Sequence, residues 1–539
     1  MTDGSGPSVL VVGLDAACER VLDPLVERGA IPTLADILDR GASGPLDSQI
    51  PPWTPSAWPS LYTGVNPGKH GVYGFLSFDG YDWRVVDYTD VHAHSLWELL
   101  DFHDRRSVVV NVPVTCPPRP IDGAVVPGYT APEDPDCHPA GVLDDVREAV
   151  GEYRVYPPDT DGREAYVATA RSLVESRGEA FRYLSDRFDP DFGFVQFQMT
   201  DTVFHDRPDD EDAIAAIYAA VDEQVAAILD GADPDLVALV SDHGMGPMGG
   251  QEFRVNDFLR EEGHLTATKG GDVPSWSRAA RTRLRNGSGG DEPGRTLGER
   301  AFSGLARVGL TSQRIERVLS ALGLRDVALR VAPTGLVQAA AEGPDFAASQ
   351  AFARDRVACG VRLNVAGREP DGTVSPDEYE RVRGQLVDAL EAVETPAGRP
   401  VFESVVPRET VYHGPHVDAA PDIVTVPREF DEMLSTSLRG EQFGPVPESF
   451  NHKFEGIVAL AGPAVDTDAG VAGATLFDIA PTVLSALGVP RSDRFDGDPL
   501  PVVSPSADGS YPAYAAGDGD GSGAGEGVEQ RLADLGYLD

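Results

Sequence analysis

Lysine is almost missing from the chain: three residues, at 69, 269 and 453, among 539. The rest of the positive charge is arginine, and the 44 basic side chains face 87 acids, a formal net charge of −43. Phosphate backbones are gripped by Lys and Arg, so no nucleic-acid-binding surface is expected on so acidic a chain. Cysteine is equally scarce. The four, at 18, 116, 137 and 359, form no CxxC pair, which indicates neither a disulfide framework nor a thiolate zinc site. No run reaches the roughly 18 consecutive apolar residues of a membrane span. The opening MTDGSGPS has neither the basic nor the apolar region of a secretory leader. The expected location is the cytoplasm.

What is present suits a packed interior. Hydrophobic residues make up 41%, enough to exclude wholesale disorder, and the length exceeds one ordinary domain core. Acids in excess, with Arg in place of Lys, resemble the cytosolic proteins of extreme halophiles such as haloarchaea. Molar salt shortens the Debye length to about 3 Å and screens carboxylate repulsion that would otherwise expand the fold. An acidic, GC-rich bacterial protein is the plainer alternative.

Val-rich runs at 8–14, 107–113, 192–199, 235–241 and 457–462 read as buried strands, and 211–230, with apolar positions three to four apart, as a helix. Such alternation predicts an α/β fold, a doubly wound, mostly parallel sheet sandwiched by helices. The core is expected in two parts, 1–263 and 346–504. Between them, 264–345 opens as a Gly/Ser/Arg-rich linker, and from 276 to 330 it carries 11 Arg against five acids. It reads as an inserted helical cap over the site, or as a surface helical pair whose arginines meet the acidic body. A basic face there could also make peripheral contact with anionic lipid. Residues 505–539 read as a flexible acidic, Gly/Ser-rich tail.

Three predicted strands end in acids: VVGLD at Asp15, FQMTDTVFH at Asp201 and ALVSDHG at Asp242. The carboxyl edge of a doubly wound sheet is where ligands bind. Any one such Asp is more often a turn former or helix cap. Two of them, however, come with histidine at ligand spacing, His205 and His243, and His452 in FNHKFEG precedes a further strand. Three Asp and three His suit two Zn²⁺, or less well two Mn²⁺, and the lack of thiolates makes the sites catalytic rather than structural. A two-metal site clamps the attacking and leaving oxygens of a phosphoryl displacement. PPWTPSAWPSLYTGVNPGKHGVYGF offers the nucleophile. Thr54 is predicted at a helix N-cap with Pro55 at the first helical position, where the helix dipole favours an incoming phosphate. A Thr-Pro cap is also a common structural device.

These stretches, interleaved with SVVVNVPVTCPP, RLNVAGREPDG, HVDAAPDIVTVP and LFDIAPTVLSALGVP, run in family order over about 11–500 and resemble the alkaline phosphatase superfamily, and more closely its type I phosphodiesterase/nucleotide pyrophosphatase branch. The resemblance implies an alkaline phosphatase-like fold with one metal held by Asp201, His205 and His452 and a second by Asp15, Asp242 and His243. Thr54 is then the nucleophile on the second metal, and Asn111 donates to a nonbridging phosphoryl oxygen; a turn Asn is the alternative for that residue. His70 is implied as scaffold, and His413 and His416 as neighbours of the site without a ligand role. Sulfatases of the superfamily need Cys or Ser, then Pro two and Arg four residues on. Here Ser56 and Trp58 follow Thr54, so no formylglycine nucleophile forms. Cofactor-independent phosphoglycerate mutases use Ser and insert a large domain soon after it, which this chain lacks. The expected function is metal-dependent hydrolysis of a phosphodiester or pyrophosphate, on a small anionic substrate, through a phospho-threonine intermediate. Phosphomonoesterase, phosphoryl or head-group transferase, and a catalytically silent metal-stabilised binding protein are the alternatives.

Overall fold

The computed structural model describes residues 6–158, 160–269 and 342–514. All five anticipated strands form, at Val9–Leu14, Ser107–Val110, Phe192–Phe197, Leu236–Val240 and Glu455–Ala461. With Ala42–Asp47 and Gly123–Val126 they make one seven-stranded sheet. Its order is Ala42–Asp47, Glu455–Ala461, Leu236–Val240, Val9–Leu14, Phe192–Phe197, Ser107–Val110, Gly123–Val126. The last five strands of that order are mutually parallel, and Glu455–Ala461 runs antiparallel to both its neighbours. The central strands are buried along their whole length, which is why they read as continuous apolar runs rather than alternating ones.

Helices cover both faces. Leu10, Val12 and Leu14 point into a core shared with Glu19–Glu27, Arg163–Phe188 and Glu211–Gly231, whereas Val9 and Val11 point into one shared with Thr54–Thr63, Leu96–Asp101 and Ile479–Ala486. The helix expected over 211–230 spans Glu211–Gly231 and buries Ile214, Ile217, Val221, Val225 and Ile228 along one stripe. The chain therefore has the anticipated mixed α/β architecture with a mostly parallel central sheet.

One element is unforeseen. Ala351–Phe352, Gly360–Leu363, Ile423–Pro427 and Phe402–Pro407 form a separate antiparallel sheet, packed with Val255–Glu261 and Tyr379–Glu391 around a core that includes Phe253, Phe352, Leu386 and Phe402. The RLNVAGREPDG and PDIVTVP stretches meet here as a buried ionic lattice. Arg368 grips both oxygens of Asp422 at 2.7 Å, and Arg362 bonds Glu369 at 2.8 Å.

Ala267–Lys269 pairs antiparallel with Glu342–Pro344, so the two ends of the expected insertion meet in a ribbon. The Arg-rich helices anticipated between them, and the tail beyond 514, lie outside the described residues. Among the described residues no helix is long and apolar enough to cross a membrane.

Candidate active site

Asp15, Asp201 and Asp242 follow three adjacent strands of the sheet, Val9–Leu14, Phe192–Phe197 and Leu236–Val240. The parallel topology thus brings all three to one carboxyl edge. Asp201 and His205 lie one turn apart on the helix Met199–Asp206, on the same face. His452 arrives on Phe450–Lys453, a short strand paired antiparallel with Gly244–Pro247 directly after His243. Gly244 permits this approach, because a Cβ there would sit 2.0 Å from the Glu455 carbonyl oxygen. Thr54 begins the fully buried helix Thr54–Thr63, whose cap is Trp53. The expectation was one residue off: Thr54 is the first helical residue, and its hydroxyl faces the acids instead of closing the helix end.

The six Asp and His residues form two compact groups, Asp201/His205/His452 and Asp15/Asp242/His243. In the first, the two Nε2 atoms are 3.2 Å apart and each is 3.4 Å from Asp201 Oδ1. In the second, His243 Nε2 lies 3.3 Å from Asp242 Oδ2 and 3.6 Å from Asp15 Oδ1. Thr54 Oγ1 joins it at 3.3 Å from His243 Nε2 and 3.5 Å from Asp15 Oδ1. The groups abut through the stacked rings of His243 and His452, 3.7 Å apart.

These separations test the fit of a metal. Ligands at about 2.0–2.1 Å from a tetrahedral ion are about 3.3–3.4 Å from one another, close to the spacing of both sets. Asp242 Oδ2 is buried and accepts no hydrogen bond, a costly orphan unless a cation meets it. Electrostatics agree. Burial, then Asp242 and Asp201, push Asp15 well above the usual carboxylate range; burial and then Asp201 do the same to Asp242. Burial would also raise Asp201, but His205 and His452 outweigh it and hold that carboxyl low. Burial, then His452, keeps His243 neutral, the form that ligates. Such crowding of buried carboxyls is what a dication relieves. The donor set fits two divalent ions.

Asn111 follows Ser107–Val110, buried, in the left-handed region at φ 63°, a conformation Asn tolerates. Its Nδ2 donates to the Gln196 backbone oxygen at 3.0 Å and to Gln196 Oε1 at 2.8 Å, so both amide protons are committed to Gln196. Gln196 Nε2 in turn donates to Asp15 Oδ2 at 2.7 Å. His70 is buried, with Nε2 2.9 Å from Ser60 Oγ. His413 contacts Asn66 and Asp496, and His416 stacks on His92; neither belongs to the two groups.

Sequence reasoning missed Gln196, Trp58 and Glu448. Gln196 is a polar residue inside a Val/Phe run, and Trp58 lies one helical turn after Thr54. Both are signals of a site in an otherwise apolar setting. Glu448, four residues before His452, lies 3.7 Å from His205 Nδ1. Beside His452 a narrow cleft is lined by Trp53, Met248, Arg356, Phe430, Met433 and Asn451, among others.

The structure resembles phosphonoacetate hydrolase from Sinorhizobium meliloti 1021, at 17% identity and TM-score 0.51, over 88% of this chain and 94% of that one. It also resembles a multiple mutant of the alkaline phosphatase PafA, at 12% identity and TM-score 0.53, over 93% and 99%. Both likenesses establish the fold. No curated protein sequence matches the chain. The family model described as type I phosphodiesterase / nucleotide pyrophosphatase matches residues 9–295, just over half of the chain, a span that holds six of the seven candidate residues together with Asn111. The chain belongs to the type I phosphodiesterase/nucleotide pyrophosphatase family of phosphoester hydrolases.

Proposed function

We propose that the protein is a dinuclear metal hydrolase that cleaves a phosphodiester or pyrophosphate bond through a phospho-Thr54 intermediate. The observation that carries this reading is the place of Thr54 Oγ1 in the second donor set, 3.3 Å from His243 Nε2. Asp201, His205 and His452 would hold one ion and Asp15, Asp242 and His243 the other. The all-N/O donors favour Zn²⁺, and less closely Mn²⁺. When bound, such ions neutralise charge on phosphoryl oxygens and lower the pKa of a neighbouring hydroxyl.

The chain's own steps follow. Thr54 gives up its proton to solvent and attacks phosphorus; the Oγ–P bond forms as the bond to the leaving oxygen breaks, and that oxygen departs with the electron pair and takes a proton from solvent. Water then attacks phosphorus, the Oγ–P bond breaks, and the Thr54 hydroxyl is restored. Asn111 can donate to a nonbridging oxygen by exchanging one of its Gln196 bonds. An acceptor other than water would make the same site a transferase.

Thr54→Ala tests the reading. It should lower turnover of a chromogenic diester at least about a thousandfold and abolish label trapped on the protein after rapid quenching, with two ions still bound by elemental analysis. Retained turnover would assign the attack to water and overturn the covalent route.

A further inference from the structure

The three site histidines all turn Nε2 inward, so what meets each Nδ1 decides how firmly the ring is held. His243 Nδ1 faces the Gly244 carbonyl oxygen at 3.1 Å, and His452 Nδ1 the Pro52 carbonyl oxygen at 3.2 Å. His205 differs: its Nδ1 faces a carboxylate, Glu448 Oε2, at 3.7 Å. That carboxylate is itself braced. Oε1 accepts from Arg356 Nη2 at 3.2 Å and Oε2 from Asn451 Nδ2 at 3.1 Å. Asn451 also takes the His452 backbone N–H on its Oδ1 at 2.7 Å. One polar chain, Arg356–Glu448–Asn451, therefore reaches two donors of the same set, and Arg356 and Asn451 line the adjoining cleft.

We infer that Glu448 is a positioning residue for the Asp201/His205/His452 metal set, orienting His205 through Nδ1. The inference rests on the metal reading above. A ligand histidine whose second nitrogen carries its proton toward a carboxylate has a fixed tautomer and a more basic inward lone pair. At 3.7 Å the carboxylate acts on the ring by charge rather than by a full hydrogen bond, and Arg356 and Asn451 keep it from swinging away.

The test is a Zn²⁺ titration of the full-length, metal-stripped protein against a competing chromogenic chelator. Two binding steps in the wild type secure the metal reading by themselves, whatever the variants do; no uptake by the wild type would sink that reading and this inference with it. Glu448→Ala should weaken one step by about 10- to 100-fold and leave the other unchanged. Glu448→Gln, which keeps an acceptor oxygen, should recover part of the loss, and cobalt-loaded Glu448→Ala should change the visible spectrum of one ion of the two. Both steps at wild-type affinity in Glu448→Ala would overturn the assignment. So would equal weakening of both steps with a lower metal-free melting temperature, which would make Glu448 a support of the fold.

Discussion

Trp58 Nε1 donates to Asp15 Oδ2 at 3.0 Å, so the helix that carries Thr54 also holds the carboxylate that Thr54 faces. Gln196 Nε2 shares the same oxygen at 2.7 Å. With Oδ2 occupied by two donors, Oδ1 is the oxygen left toward His243 and Thr54. Thr54 and the orienting indole are one turn apart on a single helix, so they cannot move independently.

Trp58→Phe removes the indole donor while keeping most of the buried ring. It should weaken ion binding at the Asp15/Asp242/His243 set by about 10- to 100-fold, with turnover restored at high metal concentration; unchanged affinity in a chelator competition would count against it. Gly13→Ala probes the same contact from the strand. Its Cβ would lie 2.6 Å from the end of the Trp58 ring and 3.1 Å from Gln196 Cγ, an overpacking worth about 1–3 kcal/mol. The cost should shrink when Trp58→Phe is combined with it, because the shorter ring vacates the space. Thermal melts of the four proteins measure that coupling.

Metal removal should make stability pH-dependent. Although its burial acts in the opposite direction, Asp201 and Glu448 raise His205 to about 10. Its contribution is therefore whole below the ordinary histidine value and lost as pH climbs toward about 10. Asp15 and Asp242, also raised, act with the same sign. His243 and His452, lowered mainly by burial, oppose this only below about 6.5, the unfolded histidine value. The metal-free protein should thus lose melting temperature between pH 7 and 10, and the metal-loaded protein much less. Parallel slopes with and without metal would refute the account.

The strands of the main sheet were legible because burial on both faces leaves unbroken Val/Phe runs, as in Val9–Leu14 and Leu236–Val240. The second sheet was not. Its strands are as short as Ala351–Phe352 and mix buried with part-exposed residues, as Phe402–Pro407 does, so no period stands out. The same division holds at the site. Asp and His at strand ends carry a local signal, whereas the partners of His452 are set by the fold: its Nδ1 meets an oxygen at Pro52, 400 residues earlier in the chain.

Asp422 shows what the family-like stretches do away from the site. It is fully buried, clamped by Arg368 on both oxygens and bonded by Tyr379 and the Leu363 amide. Burial would raise its carboxyl, but Arg368 and Arg362 hold it low. Its contribution is therefore present throughout the range above the ordinary Asp value and lost only in acid. Asp422→Asn should cost about 1.5–3 kcal/mol by removing the charge that Arg368 clamps, Arg368 keeping Glu369 Oε1 at 3.0 Å; the cost should be equal at pH 5 and pH 8, while the ion-binding steps persist below the melting range. A deficit that vanished at pH 5 would mean Asp422 is protonated there.

Salt sets two effects against each other. Exposed pairs such as Arg163–Asp210 and Arg171–Glu223 contribute little and weaken as ions screen them. The net charge of −43 repels itself across the whole surface, and that repulsion is screened as the Debye length falls from about 10 Å at 0.1 M to about 3 Å at 1 M. Because each exposed pair contributes little while the repulsion is summed over the whole surface, screening of repulsion should win, and the melting temperature should rise steadily from dilute buffer to molar KCl. A flat or falling curve would show that local pairs dominate and would remove the halophile reading, while leaving the two donor sets and Thr54 as they are.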